Sequence, residues 1–209
     1  MSLISLKDLE ADLWIFDCDG VIYDNAKGAE KEVMNRMTRF ISSRYGCSIE
    51  KARSIRHELL RKHQVPHSIM ALTREGFNEQ EILEETYFAI DFQGLGIIPS
   101  LRLQKLFSSL AGKKVLLTNN HGEYAWRVLC QLGISKYFSA VYGIGELGLV
   151  QKPDSRAFQF VQNATGVNEN IIFVDDEIHN VVAAEQFGWT AVLKGGNAEH
   201  KGFWLTELK

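Results

Sequence analysis

Proline, cysteine and net charge are all scarce in this sequence, and each scarcity argues against a class of protein. Three prolines in 209 residues, with 45% hydrophobic and 23% charged content, leave little for disordered linkers to be built from. The three cysteines, Cys18, Cys47 and Cys130, are odd in number, far apart and without CxxC spacing. That pattern suggests neither a disulfide framework nor a thiolate zinc site, and reduced thiols are expected. A formal charge of −3 sets up no field that would gather a nucleic acid polymer or an anionic membrane, so the expected partners are small molecules. No run approaches the ~20 apolar residues that span a bilayer, and the opening MSLISLKDLEADLWIF contains no long apolar stretch. The chain reads as cytoplasmic. It has no internal repeat and no low-complexity segment. What remains is enough chain for a full core, as one large domain or as a domain carrying a smaller inserted one.

Short apolar runs rich in β-branched and aromatic residues occur at Leu13 to Phe16, Val115 to Leu117, Ala140 to Tyr142, Ile171 to Val174 and Ala191 to Leu193, and these read as buried strands. Helical patterns lie between most of them: Glu123 to Leu132 before Gly133, Ser155 to Ala164 before Gly166, and Asn180 to Phe187 before Gly188, each glycine suiting a left-handed cap. Strand and helix alternation predicts an α/β fold with a doubly wound, Rossmann-like parallel sheet. Residues 25–98 break the rhythm with successive amphipathic helices and no convincing strand, which predicts an all-helical cap inserted into a core of 1–24 and 99–209. There Val33, Met34, Met37, Phe40 and Ile41 recur at helical spacing as core candidates. Asn78 with Glu81 forms an Asx capping box before Ile82.

The chemistry-bearing residues stand at strand ends. Asp17 and Asp19 follow the first strand, where an extended segment would point both to one side. Such a pair of carboxylates repels itself unless protons or a hard cation such as Mg²⁺ compensate. Thr118, Asn119 and Asn120 follow the second strand and offer a hydroxyl and amides where a helix begins, a phosphate cradle or an ordinary cap. Lys152 precedes Pro153 and a helix that Asp154 or Ser155 could cap. Asp175, Asp176 and Glu177 close the fourth strand, with Asn180 one helical turn on. Ligands of open α/β sheets bind at this carboxyl edge.

In this order, DCDGV, TNN, QKPD and VDDEIHN resemble the four motifs of the haloacid dehalogenase-like hydrolase superfamily, from Asp17 to about Asn180. The helical insertion resembles that superfamily's small helical cap. WIFDCDGVIYD, KVLLTNN, LGISKYFSAVYG and IIFVDDEIHNVVAA are most similar to the pyrimidine 5′-nucleotidase branch. Two positions depart from that branch's common pattern, Glu177 in place of serine and Asn120 in place of a small residue.

The resemblance implies Asp17 as nucleophile forming an aspartyl-phosphate, and Asp19 as general acid and base. It implies Thr118, the Asn119 amide and Lys152 as donors to the phosphoryl oxygens. It implies Mg²⁺ held by Asp17, Asp176 and Asp175, with the Asp19 backbone carbonyl. Asn180 is expected to orient the acidic loop. The implied substrate is a small phosphomonoester, a pyrimidine nucleoside 5′-monophosphate by branch, with sugar phosphates, phosphomutase chemistry and a non-catalytic phosphate-binding module as alternatives. His57, Arg61, His63, His67 and Arg74 are candidate substrate contacts. Trp126, Trp189, Phe203 and Trp204 are core or interface aromatics in a monomer or small homo-oligomer. A rival thiol phosphatase would use Cys47 and Arg53 at Cys-x5-Arg spacing, but the intervening residues lack glycine and include Glu50. A dehalogenase is a rival on the same fold.

Overall fold

The computed structural model describes residues 6–195. Phe203 and Trp204 therefore lie outside the described residues. Five runs form strands: β1 Leu13–Phe16, β2 Lys113–Leu117, β3 Ala140–Tyr142, β4 Ile171–Asp175 and β5 Thr190–Leu193. They make one parallel sheet in the order β3-β2-β1-β4-β5. β1 sits in the middle, with Leu13 to Phe16 opposite Lys113 to Leu116 on one side and opposite Ile171 to Val174 on the other. A strand paired on both edges and covered on both faces must be apolar throughout, and all four residues of LWIF are buried. Strand order reverses between β1 and β4, whose following connections run to opposite sides. The crevice at their carboxyl ends is where an α/β sheet of this kind holds a ligand.

Crossovers are made by α5 (Leu101–Ser109), α6 (Gly122–Gln131), α7 (Ile144–Leu147), α8 (Ser155–Thr165) and α9 (Ile178–Phe187). Asp154 caps α8 by accepting the Arg156 amide at 2.9 Å, and Gly166 and Gly188 end α8 and α9 in the left-handed region. On one face of the sheet Phe16 meets Phe107 edge-on at 5.2 Å between ring centroids. On another, Trp189 packs on Phe158 at 5.1 Å, with Phe173 and Phe187 beside it. Each such side chain contributes ~1.5–3 kcal/mol by leaving water. Trp189 is thus a core residue, whereas Trp126 is 40% exposed.

The chain forms two compact units: Met1–Lys27 with Gly96–Lys209, of which 6–27 and 96–195 are described, and Gly28–Leu95. The second unit is helical, with α1 Ala29–Tyr45, α2 Ile49–His63, α3 Ser68–Arg74 and α4 Glu79–Glu85 inserted after β1. Ser48 caps α2 by accepting the Lys51 amide at 3.3 Å, and Asn78 caps α4 by accepting that of Glu81 at 3.1 Å. Val33, Met37, Phe40 and Ile41 are buried, but Met34 is 37% exposed, which corrects its place in the expected core stripe. Positions 33, 37, 40 and 41 share one helix face, and Met34 is rotated about 100° from Val33, off that face. Cys18, Cys47 and Cys130 are free thiols. No helix among the described residues is long and apolar enough to cross a membrane.

Candidate active site

Asp17 is the first residue past β1, yet its amide still donates to the Val174 carbonyl at 2.9 Å, so the sheet ladder fixes its backbone. Its side chain is buried, as are Asp175 and Lys152. The Lys152 ammonium donates to Asp17 Oδ1 and to Asp175 Oδ2, both at 2.6 Å. Lys152 is itself fixed by Asn119, whose Oδ1 accepts the Lys152 amide at 2.8 Å and whose Nδ2 donates to the Lys152 carbonyl at 2.9 Å. The ends of β2 and of the loop before α8 are thereby joined through a side chain.

Asp175 has its other partners in its own turn. Its Oδ1 accepts the Glu177 amide at 2.8 Å, and Asn180 Nδ2 reaches Oδ1 and Oδ2 at 3.1 and 3.2 Å. Asn180 thus braces the acidic loop. Asp17, Asp175 and Asp176 each offer an oxygen within 4.8 Å of the others. Three carboxylates share one directly bonded ammonium, with the Lys194 charge farther off, and Asp17 and Asp175 are buried. Burial pushes the Asp17 carboxyl well above the usual carboxylate range, Lys152 opposes this, and Asp175 and Asp19 add to it. Asp176 is pushed up to about 6 by burial and then by the charge of Asp175. Burial works against the Lys152 charge, but Asp17 and Asp175 outweigh it and keep the ammonium protonated. The donor set, all hard carboxylate oxygens with more acids than cations beside them, fits a divalent cation of the Mg²⁺ type.

Gly20 makes room for this arrangement. Its φ is +82°, and a Cβ there would lie 1.9 Å from Asp176 Oδ2. Only glycine combines that backbone with that closeness. Lys194, just past β5, donates to the carbonyls of Gly20 and Val21, the latter at 3.1 Å. Its amide donates to the Asp175 carbonyl at 2.8 Å. The ends of β1 and β5 are therefore tied across the acidic loops.

Asp19 lies beyond the end of β1, and its carboxylate is not among the three grouped acids. Oδ1 accepts the hydroxyls of Tyr23 and Tyr124, the second at 3.2 Å, and Oδ2 accepts Asn120 Nδ2 at 3.4 Å. Burial raises the Asp19 carboxyl, while these donors oppose it. Thr118 is buried, and its oxygen accepts the Asn120 amide at 3.0 Å, which leaves its O–H to donate. The cap of α6 is His121 instead, accepting the Glu123 amide at 3.3 Å.

Tyr23, Tyr124 and Lys194 were not singled out from sequence. Lys194 follows an apolar strand run, a signal comparable to those used for the other strand-end residues. The two tyrosines carry no comparable signal, since only the fold shows where their buried hydroxyls point. Within the helical unit, His63 and Lys62 both contact Glu75, and Arg74 donates to the His63 carbonyl at 2.6 Å. Those two substrate candidates, His63 and Arg74, therefore already have partners. Arg53 is exposed at the first turns of α2, not turned over Cys47 in a phosphate loop.

A cavity of about 780 Å³ opens beside Gly20 and Asp176 within the sheet unit, lined among others by Lys27, Arg102, Lys194 and Leu132. That volume is in the range of small-molecule sites.

The family described as haloacid dehalogenase-like hydrolase matches residues 11–188. Among solved structures the chain is similar to the 2-haloacid dehalogenase of Pseudomonas syringae pv. Tomato DC3000, at 18% identity over 92% of this chain and 91% of that one, with a TM-score of 0.60. It is similar to a candidate phosphatase of Clostridium difficile, at 16% identity over 91% and 89%, TM-score 0.52. It is also similar to the candidate HAD-hydrolase YfnB of Bacillus subtilis bound to magnesium, at 17% identity over 88% of each chain, TM-score 0.51. At these identities the likeness is one of fold.

Proposed function

Because the chain belongs to the haloacid dehalogenase-like hydrolases, we propose that it is a Mg²⁺-dependent phosphomonoesterase with Asp17 as nucleophile. The observation that carries this reading is the grouping of Asp17, Asp175 and Asp176 around Lys152, with Asp19 held apart by hydroxyl and amide donors. Asp17 attacks phosphorus while the bond to the leaving oxygen breaks, and Asp19 delivers the proton that this oxygen needs. Water then attacks the aspartyl-phosphate, Asp19 takes its proton, and inorganic phosphate leaves with the Asp17 carboxylate restored. Thr118, the Asn119 amide and Lys152 stabilise charge on the phosphoryl oxygens. Asp17, Asp175 and Asp176 would hold Mg²⁺, with the Asp19 carbonyl, and the bound ion supplies positive charge against the carboxylates and the phosphate. Asp19 also favours this reading over a dehalogenase, since a departing halide needs no proton.

The substrate we propose is a nucleoside 5′-monophosphate, with a pyrimidine base, on the strength of the sequence fragments around the four motifs. The cavity beside Asp176 has the size for a leaving group of that class. Phosphate release is to be measured over nucleoside monophosphates and small sugar phosphates, with Mg²⁺ and with chelator. Chelator-sensitive release selective for UMP or CMP is expected. Release favouring sugar phosphates would keep the chemistry and discard the nucleotide, an isomerised product would indicate a mutase, and no release from any ester would overturn the proposal.

Two further outcomes follow from the acidic group. Gly20→Ala forces either the backbone or the Asp176 carboxylate to move. With strain of ~1–3 kcal/mol of the kind stored at such sites, apparent Mg²⁺ affinity should fall by about fivefold to 150-fold. Titrating activity against Mg²⁺ checks this, and unchanged affinity would remove Asp176 from the ligand set. The second outcome concerns pH. Asp176 is raised to about 6 from an ordinary 3.8, so across that window the folded state binds a proton that the unfolded chain releases. A raised pKa stabilises the fold below its unfolded value, and that contribution is lost as pH rises through the folded value. The metal-free protein should therefore lose stability on going from about pH 4 to about pH 6 through this group. Mg²⁺ must find the carboxylate deprotonated. Its increase in Tm should be several degrees at about pH 7.5 and small at about pH 5, and equal increases at both would contradict the site.

A further inference from the structure

The hydrogen bonds around Asp19 can be counted proton by proton. Tyr23 and Tyr124 are buried, 4% and 0% exposed, and a buried phenol needs a partner for its hydroxyl. Tyr23 gives its one proton to Asp19 Oδ1. The 2.9 Å contact between the two hydroxyls must then use the proton of Tyr124, which is also directed at Asp19 Oδ1 at 3.2 Å. Oδ1 is thus occupied from two directions by donors that have no second proton to offer. Oδ2 receives only Asn120 Nδ2, at 3.4 Å, so one of its lone-pair directions is uncommitted. The donors come from three places: the turn after β1, the β2–α6 loop and the first turn of α6. Phenylalanine would fill both aromatic positions if packing were their only task.

Resting on the phosphatase reading, we propose that Tyr23 and Tyr124 are positioning residues that lock Asp19, leaving Oδ2 as the atom that gives the proton to the leaving oxygen and takes one from water. Tyr23 also lines the cavity beside Asp176, but the role proposed for both tyrosines is exerted through Asp19. They act by denying Oδ1 to the proton and by fixing the carboxylate rotation, which otherwise would spread Oδ2 over several directions.

The test compares two esters in one protein preparation: an alkyl phosphate, whose alkoxide must be protonated to leave, and p-nitrophenyl phosphate, whose phenolate leaves without help. In Tyr23→Phe, kcat/KM for the alkyl ester should fall by about tenfold to a hundredfold, part of what a general acid contributes. The value for the aryl ester should stay within about threefold. Tyr124→Phe should show the same selectivity with a smaller drop, because Tyr23 keeps its direct bond. The ratio of the two esters cancels any difference in folded or active fraction. Parallel losses on both esters, or no loss on either, would overturn the proposal while wild-type turnover keeps the phosphatase reading. Absence of wild-type turnover with both esters would overturn both.

Discussion

If Asp17 is the nucleophile as proposed, Asp17→Asn is expected to leave the fold intact and to reduce turnover by on the order of 10⁴-fold or more. The amide has nearly the volume of the carboxylate and still presents an oxygen toward Lys152, but that oxygen cannot attack phosphorus. Stability should change little. The substitution removes one of the two carboxylates on the buried ammonium, yet it also removes a charge that Asp175 and Asp19 disfavour. Lys152 keeps Asp175, so no buried ion is left alone. Phosphate release and a thermal melt on the same sample separate the two expectations. Normal turnover in protein free of wild-type contamination would sink the mechanism. Asp19→Ala should also fail badly with alkyl esters.

Lys152→Met should have the largest effect on stability. The side chain is 2% exposed and bridges Asp17 and Asp175. Methionine fills the space but leaves two buried carboxylates facing one another. Breaking a buried ion pair from one side destabilises by about 3–5 kcal/mol, and here one cation serves two anions. Adding Asp175→Asn to Lys152→Met should recover part of the loss, since the amide takes away one of the two unpaired charges. Mg²⁺ should recover part of it as well, because it supplies positive charge to the same oxygens. Turnover should stay low in both proteins that carry Lys152→Met, as the proposed donor to the phosphoryl group is gone. Denaturant melts of the four proteins, with and without Mg²⁺, form the cycle. A destabilisation below about 1 kcal/mol would contradict a buried anionic site that depends on Lys152 for its compensation.

Much of the fold was legible because buried parallel strands are apolar along their whole length. Leu13 to Phe16 and Ala140 to Tyr142 begin and end as their apolar runs do. β2 begins two residues before its apolar run, at Lys113, because the partner Leu13 extends the pairing to polar positions. A pattern of side chains does not register that. β4 likewise runs on to Asp175, which pairs with Leu193. The acids, Asn119 and Lys152 were visible because a charged or amide residue just beyond an apolar run is unusual, and the structure joins Asp17, Asn119, Lys152, Asp175 and Asp176 by direct contact or proximity. Tyr23 and Tyr124 were not visible as site residues. Their rings obey the rule for core residues, and what sets them apart is where their hydroxyls point, a tertiary fact. Asn120 was visible as part of the cradle or cap after the second strand and as a departure from the branch pattern, and the structure gives it a contact, its side-chain amide on Asp19.

The tie from Lys194 to the carbonyls of Gly20 and Val21 has a consequence for how the protein is made. Asp17 leaves the ribosome before its counter-ion Lys152, 135 residues later, and before Lys194, the brace on its loop just past β5. Between those points the nascent chain carries Asp17 on a loop with neither charge partner nor support. Contacts so distant in sequence form late and close long loops. Until Lys194 has emerged the acidic loops stay unbraced, and assembly of the site follows synthesis of β5.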